Sequence, residues 1–339
     1  MSALQAIWFF LIGVLLTGYA VLDGFDLGAG FWFLSARKEK DRKAILASIG
    51  PFWDGNEVWL LTGGGAIFAA FPEVYATVFS GFYLAMILVL LGLILRAVSV
   101  EFRNKVPSER WRSVWDVAFS VGSGLPALLF GVAIGNILRG IPLDAAKNYT
   151  GGFWGLLNPY ALVIGLLGLS MFATHGALYV AVKTDGPLVA RARWWAGMGW
   201  IAWLILFIVA GAATWIFEKH LTRNILDAPV FWAIPVLALA SILAVGFFNR
   251  RREEWRAFMF SSLSIVAMMA LVGSSLFPNL VPGRGNPSSS LTIFNASSSA
   301  LTLKVMLILA LIGMPVVIGY TIWIYRVFRG KAKVEKDGY

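Results

Sequence analysis

Nine stretches of this 339-residue chain are apolar over a length that can cross a lipid bilayer. A hydrocarbon core of about 30 Å needs roughly 20 consecutive apolar residues in a helix. Of all residues, 59% are hydrophobic and 14% are charged, whereas a soluble domain has about 25% charged residues. The sequence therefore predicts an all-α polytopic membrane protein with a single transmembrane domain over 1–339. The predicted spans are 3–34, 48–71, 75–98, 114–138, 159–182, 194–217, 229–248, 256–277 and 302–325.

The distribution of basic residues predicts the orientation of these spans. Of the 28 Lys and Arg residues, 22 lie in the loops around 36–43, 96–112, 183–193 and 249–256 and in the tail 326–336. Cytoplasmic loops of membrane proteins carry the excess of Lys and Arg. We therefore expect the N-terminus outside and the C-terminus in the cytoplasm, and we attribute the net charge of +10 to topology rather than to nucleic-acid binding.

Carboxylates lie within the predicted spans, where each charge costs about 2.5–3.5 kcal/mol on insertion scales. Asp23 and Asp26 are three residues apart in the first span, and Asp54 and Glu57 have the same spacing in the second. Residues three apart on a helix share one face. The orientation predicted above places all four carboxylates in the cytoplasmic half of the membrane.

Further charged residues are expected near the same side. Arg96 closes the predicted third span, Glu101 follows it, and Asp116 begins the fourth. Because one arginine cannot neutralise several carboxylates, at least one of them is expected to be protonated or hydrated. Exchangeable carboxyls bridged by water are typical of a proton-uptake route. The alternative is a structural cluster of ion pairs that holds spans 1 to 4 together.

The chain offers few side chains that could ligate a metal or a haem. It contains no cysteine and two histidines, so a bis-histidine haem site cannot form within its membrane spans. His175 lies in the fifth span, where hydrogen-bonded packing is favoured over haem ligation. His220 and Glu73 lie at the outer ends of spans and are expected to be solvated. We therefore predict no catalytic, cofactor-binding or metal-binding residue in this chain.

Two segments carry a resemblance to a known family. Residues 17–28 read TGYAVLDGFDLG, and residues 48–60 read SIGPFWDGNEVWL. Both resemble the signatures of subunit II of the bacterial cytochrome bd-type quinol oxidases, a family that includes cyanide-insensitive members. The resemblance runs nearly end to end. It continues in 64–72, 80–83, 135–136, 157–159 and 296–303.

The resemblance implies a fold, a reaction and partners. The fold would be two four-helix bundles plus one peripheral helix, in the bacterial inner membrane. The enzyme would oxidise a membrane quinol and reduce oxygen to water, and this chain alone would be inactive. A partner, subunit I, would carry two b-type haems and one d-type haem. Small accessory membrane subunits, quinol and lipids would complete the complex.

The resemblance also assigns roles by position. Asp54, Asp23 and Asp26 match acids of a cytoplasmic proton-uptake route, and Arg96 and Glu101 match a polar pair at its mouth. Two other functions are compatible with the residues: a proton-coupled secondary transporter and a purely structural partner subunit. The residues expected along the proton route are Asp54, Asp23, Asp26, Glu101, Arg96 and Glu57.

Overall fold

The structure, a computed structural model, describes residues 2–227 and 229–332. The end of the predicted cytoplasmic tail, 333–336, lies outside the described residues. Within the described ranges the chain forms thirteen α-helices. They are α1 (Ser2–Trp32), α2 (Glu39–Ile49), α3 (Trp53–Ala70), α4 (Pro72–Gly81), α5 (Tyr83–Phe102), α6 (Glu109–Arg139), α7 (Phe153–Leu156), α8 (Pro159–Lys183), α9 (Pro187–Phe217), α10 (Arg223–Asp227), α11 (Ala233–Arg250), α12 (Glu254–Leu276) and α13 (Ala300–Val327).

Most of these helices are long and apolar enough to cross a membrane. Within the described ranges there are eight such helices, and α3 together with α4 makes a ninth if this bent pair counts as one span. The helix α3 reaches the required apolarity only with α4, because Asp54, Asn56 and Glu57 lie in its first two turns. Two of these polar residues, Asp54 and Glu57, belong to the predicted site.

The second and third predicted spans differ from the helices observed. The span predicted at 48–71 is interrupted before Trp53, where the chain turns between α2 and α3. After Ala70 the direction changes by 120°, because Pro72 has no N–H with which to continue α3. The span predicted at 75–98 is therefore divided between α4 and α5. As α5 continues to Phe102, Arg96 lies within this helix and does not close it, contrary to the prediction.

The long described helices pack in two groups of four. The first group is α1, α3, α5 and α6, and the second is α8, α9, α11 and α12. The helix α13 lies at the periphery, where it contacts α1 and α3 and leaves most of its side chains exposed. This packing agrees with the two four-helix bundles and one peripheral helix that the resemblance implies. The sidedness of the chain ends stays a prediction.

The two groups meet where α1 and α6 pack against α8, and α1 crosses α8 at a pair of glycines. A Cβ atom on Gly28 would lie 1.8 Å from the carbonyl oxygen of Phe172, and one on Gly176 would lie 2.2 Å from the backbone nitrogen of Ala29. Small residues allow such close backbone approach between membrane helices. The crossing lies two residues beyond Asp26, so it fixes α1 next to the predicted site.

We expect Gly28→Ala to lower the melting temperature of the protein. The added methyl group would collide with backbone atoms of α8, and overpacking of this kind costs about 1–3 kcal/mol. The control is Gly13→Ala on the same helix, since a Cβ there has no neighbour within 4 Å. Thermal melts of the two variants in one detergent compare them directly. Equal melting temperatures for both variants would refute the role given to the crossing.

The predicted outer loops are ordered and pack against each other. The strands β1 (Asn279–Val281) and β2 (Leu291–Thr292) form an antiparallel pair. A bridge between Ile141 and Gly283 joins the two loops. Glu73, predicted to be solvated, is 53% exposed and forms an ion pair with Lys147 at 2.8 Å. These contacts connect the two predicted outer loops and tie the first of them to α4.

Candidate functional site

The carboxylates of the first helix group converge on one guanidinium. Arg96 of α5 is 2% exposed. Its Nη1 donates to Oδ1 of Asp23 at 2.7 Å, and its Nη2 donates to Oε2 of Glu57 at 3.1 Å. Asp23 is completely buried, whereas the side chain of Glu57 is 22% exposed. One side chain therefore links α1, α3 and α5 inside the membrane.

Asp26 lies one turn further along α1 and binds a neutral group. Its Oδ2 accepts a hydrogen bond from Nδ2 of Asn56 at 2.8 Å, and the same amide donates to the carbonyl of Leu22 at 3.2 Å. Asp26 is 1% exposed, and within residues 2–227 and 229–332 it forms no ion pair. Its carboxyl group is thus buried without a cation in contact.

Several polar atoms of this cluster have unused hydrogen-bonding capacity. Within the part of the chain that the structure describes, no partner is found for Oη of Tyr19, Oδ2 of Asp23, Oδ1 of Asp26 and Nε of Arg96. Tyr19 lies four residues before Asp23, on the same face of α1. A buried polar atom left without a partner costs about 1–3 kcal/mol. Free donors and acceptors grouped in this way are suited to binding internal water.

Asp54 and Glu101 lie at the surface of the chain rather than in the buried group. Asp54 is exposed in the first turn of α3, and Glu101 is exposed near the end of α5. Asp54 lies three residues before Glu57 on α3. The structure therefore brings together four of the six predicted residues, namely Asp23, Asp26, Glu57 and Arg96.

Three residues of the site were missed by sequence reasoning. Tyr19 is one helical turn from Asp23, and Asn56 lies between Asp54 and Glu57, so helical spacing could have indicated both. The hydroxyl of Tyr325 donates to Oδ1 of Asn56 at 3.1 Å, across a separation of 269 residues. No local sequence pattern indicates a contact of that kind.

A second ionic cluster contains Asp116, which was predicted on the same side of the membrane as Arg96. Oδ1 of Asp116 accepts from Nε of Arg103 at 2.5 Å, and its Oδ2 accepts from Nη1 of Arg42 at 2.6 Å. Nη2 of Arg103 also donates to Glu39 at 2.8 Å. This cluster joins α2 to Arg103, which follows α5, and to Asp116 on α6. Asp116 therefore does not belong to the carboxylate group around Arg96.

The second cluster makes the stability of the protein depend on pH. Hydrogen bonds from Arg103 lower the pKa of Glu39 below its ordinary value, which is about 4.3 in an unfolded chain. A carboxylate with a lowered pKa in the folded state stabilises the fold above its unfolded pKa, and this contribution is lost as pH falls through the folded pKa. Since Glu39 is 41% exposed, the loss should stay below about 1 kcal/mol.

Wild type is expected to lose stability as the pH falls from about 5 to about 3. We expect Glu39→Gln to lose less stability over this range, because it lacks the titrating carboxylate. The measurement is the melting temperature of wild type and variant across this range. The control is Glu109→Gln, which changes an exposed glutamate in the first turn of α6. A variant that loses stability toward acid as steeply as wild type would show that the pair with Arg103 does not contribute.

The histidines do not fit a haem site. His175 is completely buried, its Nε2 donates to the carbonyl of Val21 at 3.0 Å, and its Nδ1 lies 2.5 Å from Oγ of Ser261. Its ring stacks on Phe258 with 4.6 Å between centroids. Both nitrogens and one ring face are thus engaged by the protein. His220 is 44% exposed and hydrogen-bonds the carbonyl of Leu138. Within the described ranges, no three His or acidic side chains converge as a metal site.

Comparison with known proteins assigns the chain to a family. Residues 4–328 match the family model described as cytochrome bd terminal oxidase subunit II. The chain belongs to this family. Cytochrome bd-I ubiquinol oxidase subunit 2 of Escherichia coli K12 is 39% identical, with 98% of this chain and 96% of the relative covered. Cytochrome bd ubiquinol oxidase subunit 2 of Bacillus subtilis is 37% identical, with 97% of each chain covered.

A solved structure shares the fold of this subunit II. The bd oxidase from Geobacillus thermodenitrificans matches with a TM-score of 0.80 and 16% sequence identity, over 96% of this chain and 99% of that chain. Family membership confirms the resemblance seen in the sequence, and the fold comparison confirms the all-α membrane class. The chain is a multi-pass protein of the bacterial inner membrane and a subunit of a terminal oxidase, an oxidoreductase complex. The roles predicted for Asp23, Asp26 and Asp54 stay predictions.

Proposed function

We propose that this chain is the subunit II of a quinol:oxygen oxidoreductase, and that its buried carboxyl cluster takes up cytoplasmic protons for the reduction of oxygen to water. The quinol substrate is supported by relatives named ubiquinol oxidase subunit 2. The two b-type haems and the d-type haem would lie in a partner, subunit I. The packing of His175 supports a subunit II that ligates none of them.

The observation that supports proton uptake is the charge balance of the cluster. Asp23 and Glu57 pair with the guanidinium of Arg96, and Asp26 lies one turn from Asp23 with a neutral partner among the described residues. Three ionised carboxylates and one cation would therefore leave a net charge of −2. Each uncompensated charge inside the membrane costs about 2.5–3.5 kcal/mol. At least one carboxyl would therefore hold a proton. Asp26 is the best candidate, because its partner is a neutral amide.

The burial of the carboxyl groups increases along the proposed route, from the predicted cytoplasmic surface inward. Asp54 and Glu101 are exposed and would accept protons at the predicted cytoplasmic surface. Glu57 is half-buried, and Asp23 and Asp26 lie deepest. Water bound by the atoms without partners would connect these carboxyls. The guanidinium of Arg96 stays charged throughout, because arginine side chains do not release a proton in proteins.

A structural role is the second candidate function. It is favoured by the ion pairs of Arg96, which tie α5 to Asp23 of α1 and to Glu57 of α3. A cluster that only stabilises the chain would be needed for assembly and not for turnover. The transporter alternative has no comparable support, since the family to which the chain belongs is one of oxidase subunits.

The test of the proposed function is Asp54→Asn in the complex purified through a tag on this chain. We expect quinol-dependent oxygen uptake to fall by about two- to tenfold, since an exposed carboxylate raises the local concentration of cations. The content of haem in the complex should be unchanged. Loss of haem would instead support the structural role. Unchanged turnover together with unchanged assembly would rule out both roles for Asp54.

The matched control is Glu73→Gln. This variant also replaces an exposed carboxylate by its amide, but at the predicted outer end of the molecule, where Glu73 pairs with Lys147. It should leave oxygen uptake unchanged. A decrease of the same size in both variants would point to a general effect of surface charge and would contradict the proposed route.

A further inference from the structure

The peripheral helix α13 reaches the carboxyl cluster through one side chain. The ring of Tyr325 stacks on Phe52 with 4.4 Å between centroids, and its hydroxyl donates to Oδ1 of Asn56 at 3.1 Å. Phe52 and Asn56 are buried, at 4% and 3% exposed. Tyr325 itself is half-buried. A helix whose side chains mostly face outward is thus connected to the deepest part of the site.

The hydrogen bonds around Asn56 determine the orientation of its side-chain amide, that is, which atom is the nitrogen and which is the oxygen. The carbonyl of Leu22 can only accept, so the amide atom 3.2 Å from it must be the nitrogen. The other N–H of the same nitrogen then donates to Asp26 at 2.8 Å. The amide oxygen therefore points away from α1 and needs a donor of its own. Tyr325 supplies this donor.

We infer that Tyr325 is a positioning residue for the carboxyl cluster: its hydroxyl holds the Asn56 amide in the orientation that donates to Asp26. Without the hydroxyl, the buried amide oxygen would have no partner, and the side chain would turn or shift to find one. Connected hydrogen bonds also polarise one another, so losing the first bond weakens the second. The effect on turnover rests on the proposed function, whereas the effect on Asp26 requires only that this buried carboxyl holds a proton.

Tyr325→Phe tests this inference in the complex purified with its partner subunit. The variant keeps the ring that stacks on Phe52 and removes only the hydroxyl. The first readout is the infrared C=O band of Asp26, identified by its absence in Asp26→Asn. We expect this band to shift to higher frequency, because a carboxyl that loses a donor on its C=O oxygen stretches more freely. The second readout is oxygen uptake, expected to fall about two- to tenfold, the equivalent of one hydrogen bond, at unchanged KM for quinol.

Two further variants serve as controls for Tyr325→Phe. Tyr320→Phe removes a hydroxyl from a side chain of α13 that is 58% exposed, and it should change neither readout. Tyr325→Phe added to Asp26→Asn should cause no further loss of oxygen uptake. An unshifted band in Tyr325→Phe, or an additional loss in the double variant, would overturn the inference. A shifted band together with full turnover in Asp26→Asn would uphold the positioning of Asp26 and refute the proposed proton uptake.

Discussion

Arg96→Gln is expected to destabilise the protein by about 3–5 kcal/mol, the cost of breaking a buried ion pair from one side. The substitution leaves Asp23 and Glu57 inside the membrane without the guanidinium that pairs with both. Asp23 has no exposure to water, so solvent cannot compensate for the lost cation. The measurement is the melting temperature and the yield of the monodisperse complex in detergent, and both should fall strongly.

Two companion variants show whether this loss comes from charge. Arg96→Lys keeps the cation but lacks the planar fork that reaches two carboxylates, so it should recover only part of the stability. Arg96→Gln combined with Asp23→Asn removes one charge of each sign and should be more stable than Arg96→Gln alone. If the double variant is as unstable as the single one, the shape of the arginine matters and its charge does not.

The convergence of the carboxylates could be predicted from the sequence because the relevant spacing is local. Asp23 and Asp26 lie three residues apart on one helix, as do Asp54 and Glu57, and helical geometry alone puts each pair on one face. The cost of a charge in the membrane then indicates a shared partner. What the spacing could not show is depth: Asp54 is exposed, whereas Glu57 is half-buried.

The third span could not be placed correctly from hydropathy. The hydropathy of a segment shows how long an apolar run is, but not where the chain changes direction within it. The apolar run continues through α4 into α5, although the chain turns by 120° before α4. Pro72 was visible in the sequence, but a proline is compatible with both a kinked span and the start of a new helix. The observed start of α5 at Tyr83 extends the helix to Phe102, which places Arg96 inside it.

The partner of Asp116 could not be predicted, for a related reason. Arg96 and Arg103 both lie in the sequence just before α6, and hydropathy does not tell which of them faces Asp116. The structure pairs Asp116 with Arg103, which follows the last residue of α5. Pairing between side chains on different helices depends on rotation about the helix axis, and one sequence gives that rotation only approximately.

Stability and turnover can be separated within the cluster because its residues have different partners. Arg96 contacts Asp23 and Glu57 directly, so its loss should act mainly on assembly. Asp26 contacts the amide of Asn56, and an uncharged side chain of the same shape can keep a hydrogen bond there. Asp26 is therefore the position at which proton transfer can be removed with little change in packing.

Asp26→Asn is expected to lower quinol-dependent oxygen uptake on the order of a hundredfold, within the range measured for the loss of a proton-transferring side chain. The amide matches the carboxyl in volume and can accept from Asn56 in the same way, but it cannot take up and release a proton at physiological pH. The content of haem and the KM for quinol should stay as in wild type. The solvent deuterium isotope effect on oxygen uptake should increase, because proton delivery becomes rate-limiting.

The control for Asp26→Asn is Asp144→Asn, the same chemical change in an exposed residue of the predicted outer loop. It should leave oxygen uptake and its isotope effect unchanged. Since Asp26→Asn keeps the shape of the site, a complex that assembles with full haem and turns over slowly indicates that the carboxyl itself carries protons. A complex that assembles and turns over at the wild-type rate would remove Asp26 from the route, and the cluster would then be explained by the ion pairs of Arg96 alone.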